Sequence, residues 1–245
     1  MNEIIEQLKK YKWYREQIVH TKVIPAKSGE YGELSPPLSP SLQNYLTSKG
    51  IKKLYSHQAE SIKKIREGIN LIITTGTASG KTLCFNLPIL ERLEKDKGAT
   101  ALYLYPLKAL TNDQLKVLKE MERFLEIKFE SESGSIGPAI YDGDTPKERR
   151  ASIREKSRII LSNPYELHQV LPYHYKWENF LKNLKFVIID EAHRYKGVLG
   201  SNFALLIRRF LSVCEVYGSS PQFILSSASI ANPVEFAEKL TSKGF

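Results

Sequence analysis

Cysteine is nearly missing from this chain. Cys84 and Cys214 are the only two, far apart and outside any Cys-x-x-Cys pair, which argues against a disulfide scaffold and a cysteine-built zinc site. The five histidines are scattered, and the closest two, His168 and His174, stand six apart, a spacing that does not line up on one helix face. A metal caged by protein side chains alone is therefore not expected. The roughly 18 uninterrupted apolar residues of a membrane span are also absent. The opening MNEIIEQLKKYKWYREQ has no apolar signal-peptide core, so the expected compartment is the cytoplasm. Acidic residues are fewer than basic ones, 27 against 36, giving a net charge of +9. That excess suits a polyanionic partner, although part of it lies in ordinary amphipathic stretches such as SIKKIREG.

The chain does have enough apolar residues for a full core. Its 245 residues, 42% of them hydrophobic, fit one large α/β domain with a small appendage. Residues 1–50 read as an irregular N-terminal arm: a charged helical start, an extended QIVHTKVIPA, then a segment with Pro36, Pro37 and Pro40 among glycines and serines. Pro40 opens a short helix that Gly50 closes. From residue 51 the pattern is regular. Short β-rich runs at 71–75, 100–106, 138–143, 158–162, 186–191 and 222–227 alternate with helical stretches, and no internal repeat is present. Near-continuous apolar strands separated by helices predict a doubly wound, mostly parallel sheet with helices on both faces.

The stretch LIITTGTASGKTLCF (71–85) leaves a predicted strand and enters a predicted helix, the setting that points backbone N–H groups at an anion. It departs from Gly-x-x-x-x-Gly-Lys-[Ser/Thr] by one position, since Thr75 stands where the first glycine belongs and Gly76 comes after it. Small residues at Gly76, Thr77, Ala78, Ser79 and Gly80 keep side chains away from a phosphate. Lys81 would reach the β/γ-phosphates and Thr82 would offer its hydroxyl to Mg²⁺. A second apolar strand ends in Asp190-Glu191-Ala192-His193. There Asp190 would hold Mg²⁺ and Glu191 would polarise a water, against the alternative that both acids cap the next helix. His193 is read as a relay toward SSASIANP (226–233), where Ser227 and Ser229 flank Ala228.

Gln58, in LYSHQAESI, can offer a donor and an acceptor to an adenine edge, with Tyr55 as a ring-packing neighbour; an amphipathic helix would explain the segment equally well. Three loops at predicted strand ends suit phosphate-backbone contact: YPLKAL with Pro106 and Lys108, YDGDTPKERR with Gly143, Lys147, Arg149 and Arg150, and SNPYELH with Asn163 and Pro164. Taken alone, the last two are read as helix caps in preference to nucleic-acid contacts. HQVLPYHYKWENFLKN interleaves aromatic and basic residues around Trp177, which is read as a buried anchor in preference to a base-stacking surface.

Taken in order, LYSHQ, TGTASGKT, PLKAL, YDGDTP, SNPYELH, DEAH and SSASIANP resemble the first motor domain of superfamily 2 DNA helicases of the DEAD/DEAH type. The branch is that of the bacterial mitomycin repair factor A helicase and the RecQ-four-like helicases. The resemblance implies a RecA-like fold over residues 51–245, with ATP and Mg²⁺ as cofactors. It assigns adenine contact to Gln58, phosphate contact to Gly76–Thr82, metal and water to Asp190 and Glu191, and coupling to Ser227, Ala228 and Ser229. Lys108 and Asn163 fall in loops that touch a DNA strand. It also accounts for the displaced glycine, because the branch reads Thr-Gly-Thr-Ala-Ser-Gly-Lys. Two positions differ from the family: Leu107 stands for a common threonine, and Ser229 for the threonine of Ser-Ala-Thr.

Such helicases close ATP between two RecA-like domains, and the sequence stops at Phe245. The expectation is the N-terminal half of a longer DNA-repair enzyme, weakly active or inactive alone. RNA as the track, or a non-catalytic module that docks on nucleic acid or a partner, are the alternatives.

Overall fold

The structure is a computed structural model that describes residues 2–23, 25, 28–76, 79–125 and 137–245. It divides into two compact units, Met1–Glu30 and Tyr31–Phe245. The first contains α1 (Asn2–Lys9), whose Glu3 and Lys9 complement the helix dipole, and a stacked Tyr11–Trp13 pair with centroids 5.6 Å apart. The stretch expected as one arm is thus parted at Glu30–Tyr31, and the portion from Tyr31 onward contributes to the main core.

In the second unit, β1 (Tyr31–Gly32) pairs antiparallel with β2 (Leu54–Tyr55). Between them α2 (Pro40–Ser48) starts on its proline as predicted and is followed by Gly50 at φ +70, the left-handed position that favours glycine. Leu42, Tyr45 and Leu46 of α2 are buried. Next come α3 (Ser56–Arg66), β3 (Leu71–Thr74), α4 (Lys81–Lys95), β4 (Thr100–Leu104), α5 (Lys108–Glu122) and β5 (Ala139–Ile140). The chain continues through α6 (Lys147–Lys156), β6 (Ile159–Ser162), α7 (Pro164–Val170), α8 (Glu178–Lys182), β7 (Leu184–Ile189), α9 (Gly197–Val216), β8 (Gln222–Ser227) and α10 (Pro233–Thr241). All six predicted strands are present.

They form one sheet in the order β3-β8-β7-β4-β6-β5, every pairing parallel. Side-chain alternation divides each strand between two cores. Ala101, Tyr103, Phe186, Ile188 and Ile224 pack with residues of α2 to α5, whereas Leu102, Leu104, Val187, Ile189, Phe223 and Leu225 pack with α7 to α10. Both faces are apolar because both are covered, which is why the strands read as continuous hydrophobic runs. One helix, α9, is long and apolar enough by length and mean hydropathy to cross a membrane. Its Phe203, Leu206, Ile207 and Phe210 are buried while the adjacent Arg208 and Arg209 are exposed, the pattern of an amphipathic helix on a protein core.

A half-buried ion pair fixes α3 to α4. Arg66 donates from Nε and Nη2 to Glu91 at 2.8 and 2.9 Å, and its remaining donors reach the carbonyls of Pro36 and Pro37. Because the sheet is parallel, the loops after β3, β4, β5, β6, β7 and β8 all emerge at the carboxyl ends of the strands, the edge where open α/β sheets bind ligands.

Candidate nucleotide and nucleic-acid site

The loop after β3 is closed by its own residues. Thr75, at the place of the missing glycine, shares a 2.6 Å hydroxyl contact with Ser79. Lys81 Nζ donates to the carbonyls of Thr75 and Gly76, each at 2.8 Å. Gly80 adopts φ +77, and a Cβ there would lie 2.6 Å from Gln58 Nε2. The left-handed backbone favours glycine at 80, and any Cβ there would displace the Gln58 amide. Gly76 is different: a Cβ would meet nothing within 4 Å. Thr77 and Ala78 lie outside the described residues, and Thr82 is half-buried in the first turn of α4.

Gln58 is buried and links α3 to this loop. Its Oε1 accepts the Tyr55 N–H at 3.0 Å and its Nε2 donates to the Gly80 carbonyl at 3.1 Å. His57, a residue that motif reading passes over, brings Nε2 within 3.0 Å of the Ser79 carbonyl. Tyr31, Tyr55 and His57 stack in turn, with centroids 5.4 and 5.8 Å apart, leaving flat aromatic surface beside the loop.

Across the sheet edge, Asp190 accepts through Oδ1 from the Glu191 N–H at 2.9 Å and from the Ser226 hydroxyl. Burial raises its carboxyl above the ordinary value, opposed by those two donors. Motif reading passes over Ser226 as well, yet strand parity points to it: Ile188 and Ile224 share one core, so Asp190 and Ser226, two residues on from each, lie on the same face. Glu191 holds φ +51, a left-handed conformation that a non-glycine residue keeps only where its surroundings enforce it.

His193 joins the two motifs. Its Nδ1 accepts the Ala228 N–H at 3.1 Å, which places the ring proton on Nε2, 3.4 Å from Glu191 Oε2. The link runs through the Ala228 backbone, while the Ser227 hydroxyl turns to the Ala228 carbonyl at 2.8 Å and Ser229 is exposed.

The three loops expected at a nucleic-acid backbone are tied to each other. Lys108 donates to Asp144 at 2.6 Å, joining the loops after β4 and β5. Asn163 Oδ1 caps α7 by accepting the Glu166 N–H at 2.9 Å, with Pro164 next in line. Arg150 is an internal strut: it bonds Glu166, the Asp142 carbonyl and the Thr145 carbonyl at 3.1, 2.7 and 3.1 Å. Pro106 is half-buried, whereas Gly143, Lys147 and Arg149 are exposed. Leu107 precedes α5 without a side-chain cap.

Residues 55–236 match the DEAD/DEAH box helicase family model. The chain belongs to that family. It is 38% identical over 244 residues to the ATP-dependent helicase YprA of Bacillus subtilis, covering 99% of this chain and 31% of that protein. It is 39% identical over 237 residues to the ATP-dependent helicase HRQ1 of Saccharomyces cerevisiae, covering 95% and 21%. The DUF1998 helicase MrfA, in a crystal structure bound to DNA and AMPPNP, superposes with a TM-score of 0.89 at 38% identity over 100% of this chain and 33% of that one. The chain thus spans a third or less of the length of these three relatives. With these relatives, the parallel sheet is the RecA-like fold of a superfamily 2 helicase's first motor domain.

Proposed function

We propose that this chain is the ATP-binding motor domain of a DNA helicase or translocase that works in DNA repair with a second RecA-like domain. The observation that carries the reading is His193, which connects Glu191 to the Ala228 N–H at the end of β8, a physical path from a hydrolytic carboxylate to a neighbouring strand end. DNA as the track is supported by the MrfA complex.

On this reading Lys81 and the free N–H groups at the start of α4 receive the phosphates, since a helix N-terminus with a lysine beside it is suited to anion binding. Tyr55 and Gln58 border the adenine. The donor set fits Mg²⁺: a threonine hydroxyl and one carboxylate, Thr82 and Asp190, are hard oxygens, and magnesium completes its shell with water and phosphate. Among the described residues no group of three or more His, Cys, Asp or Glu could hold a metal unaided, so the ion is expected to arrive with its nucleotide. When bound, it neutralises charge on the β- and γ-phosphates. Glu191 orients the attacking water, and His193 conveys the change at Glu191 to residues 228–232. Lys108 and the loop at Asn163 lie along the DNA backbone. Arginines from the second domain supply charge stabilisation that is worth about 10³–10⁵ in rate in related NTPases, so turnover by this chain alone is slow.

The test is the anisotropy of a fluorescent ATP analogue with Mg²⁺. Saturable binding that is lost in Lys81→Ala is expected. Strong DNA-stimulated hydrolysis that persists undiminished in Glu191→Gln would overturn the assignment.

A further inference from the structure

We propose that Tyr173, Tyr175 and Lys176 form a stacking platform for the bases of a single-stranded nucleic acid, a contact separate from the backbone loops. The proposal rests on the reading of the chain as a nucleic-acid motor.

The segment after α7 is a short 3-10 turn, Leu171–Trp177, kinked at Tyr173. Its inward residues are pinned. Trp177 is buried and meets Tyr141 edge-on at 4.6 Å and Phe180 at 6.0 Å, so the anchor expected from the sequence is present. His174 Nδ1 lies 2.7 Å from the Tyr217 hydroxyl. The residues between point outward: Tyr173 is 55% and Tyr175 61% exposed. Lys176 Nζ lies over both rings, 5.4 Å from the Tyr173 centroid and 5.7 Å from that of Tyr175. Among the described residues no carboxylate pairs with it. Two exposed rings with one unpaired ammonium between them offer stacking surface and a cation together, the combination that holds a single strand without reading its sequence.

Charge and position agree. The turn itself, residues 171–177, carries Lys176 and no acid, which suits a polyanion and suits a basic partner poorly. The platform also adjoins the candidate backbone loops. Tyr141, against which Trp177 packs, is the residue before the Asp142–Thr145 turn, and it carries Arg150 over its ring at 4.9 Å. Asn163 caps the helix that leads directly into the turn. The turn is thus joined to those loops through Tyr141 on one side and α7 on the other.

The experiment compares equilibrium binding of fluorescein-labelled oligo(dT) and of a blunt hairpin duplex to the 245-residue chain and to three variants. In Tyr173→Ala/Tyr175→Ala the single-strand affinity is expected to fall by about tenfold or more, from the loss of two base–aromatic stacks. Duplex and ATP-analogue binding should stay at wild-type levels. Tyr173→Phe/Tyr175→Phe keeps the rings and is expected to bind as wild type. Lys108→Ala, in the backbone loop, is expected to weaken single strand and duplex together. A double-alanine variant that binds oligo(dT) as wild type does, while Lys108→Ala is impaired, overturns the platform and leaves the motor reading intact; the exposed rings would then serve a protein partner. A wild-type chain that binds neither oligonucleotide overturns both.

Discussion

Replacing Gly80 by alanine tests the loop geometry most directly, because Gly76 provides a matched control a few residues away. At φ +77 an alanine pays for the left-handed backbone, about 1–2 kcal/mol. Its Cβ would also sit 2.6 Å from Gln58 Nε2, closer than real Cβ atoms come. Gln58 must then move, and its hydrogen bond to the Gly80 carbonyl is lost, worth about 1 kcal/mol. The sum is about 2–3 kcal/mol. With a slope near 3 kcal/mol per molar for a chain of this size, the urea midpoint should fall by about 1 M. Gly76→Ala meets no atom within 4 Å and should change stability by less than about 0.5 kcal/mol. Gln58→Ala placed on Gly80→Ala removes the clash but not the backbone strain, so the double variant should be less than additive by about 1 kcal/mol. Equal losses for Gly76→Ala and Gly80→Ala, or strict additivity of the Gln58 and Gly80 changes, would refute the account.

Asp190→Asn should stabilise the fold while abolishing hydrolysis, since it removes a buried charge and keeps an oxygen for the Ser226 hydroxyl and Glu191 N–H; about 1 kcal/mol, or ~2–4 °C in melting temperature, is expected by calorimetry. The same charge gives a sign in pH: with the folded carboxyl raised above its ordinary value of 3.8 by burial, stability declines as pH rises from that value through the folded one, and the variant should lose this slope. His193→Ala leaves the phosphate loop untouched but strands the Ala228 N–H; ATP-analogue affinity should hold, while stability falls by about 1 kcal/mol and DNA stimulation of hydrolysis disappears. Leu107→Thr gives α5 the side-chain cap it lacks, and a gain of about 0.5–1 kcal/mol in thermal unfolding is expected.

The four inner strands β4, β6, β7 and β8 were legible because each is buried on both faces and reads as a continuous apolar run, whereas the edge strands β3 and β5 are only partly buried and rested on their place between turn residues and helices. The loop between β3 and α4 and the strand end at residues 190–193 were equally readable as elements, being local patterns in a fixed context. Contacts between distant segments were not. Gln58 and Gly80 stand 22 residues apart, and nothing local shows that the Gln58 amide holds the loop. Arg150 looks like any surface arginine in KERR; only Glu166 and the carbonyls of the 142–145 turn make it a strut. The pairing of β1 with β2 joins residues on either side of a proline-rich stretch, two-residue strands too short to leave a pattern. Ser226 is the intermediate case, recoverable from parity once two strands are known to be neighbours.

Lys81 and Lys108, the two lysines assigned to ligands, are held in different ways, and the difference bears on how each ligand is won. Lys81 rests on two neutral carbonyls. A phosphate offers it a charged acceptor, and charge-assisted hydrogen bonds are about twice as strong as those to neutral partners, so the exchange favours nucleotide. Lys108 instead rests on the carboxylate of Asp144, itself set by the Asp142 side chain accepting the Asp144 N–H at 3.0 Å. A backbone phosphate brings no advantage in charge over that partner, and must also come close to its negative charge. Asp144 therefore acts against nucleic-acid binding at this loop. Asp144→Asn should tighten binding of single strand and duplex alike, with a salt dependence steeper by about one phosphate contact. Lys108→Ala in the same background should remove the gain. An Asp144→Asn protein whose affinity and salt slope match wild type would show that Lys108 does not meet the strand at all.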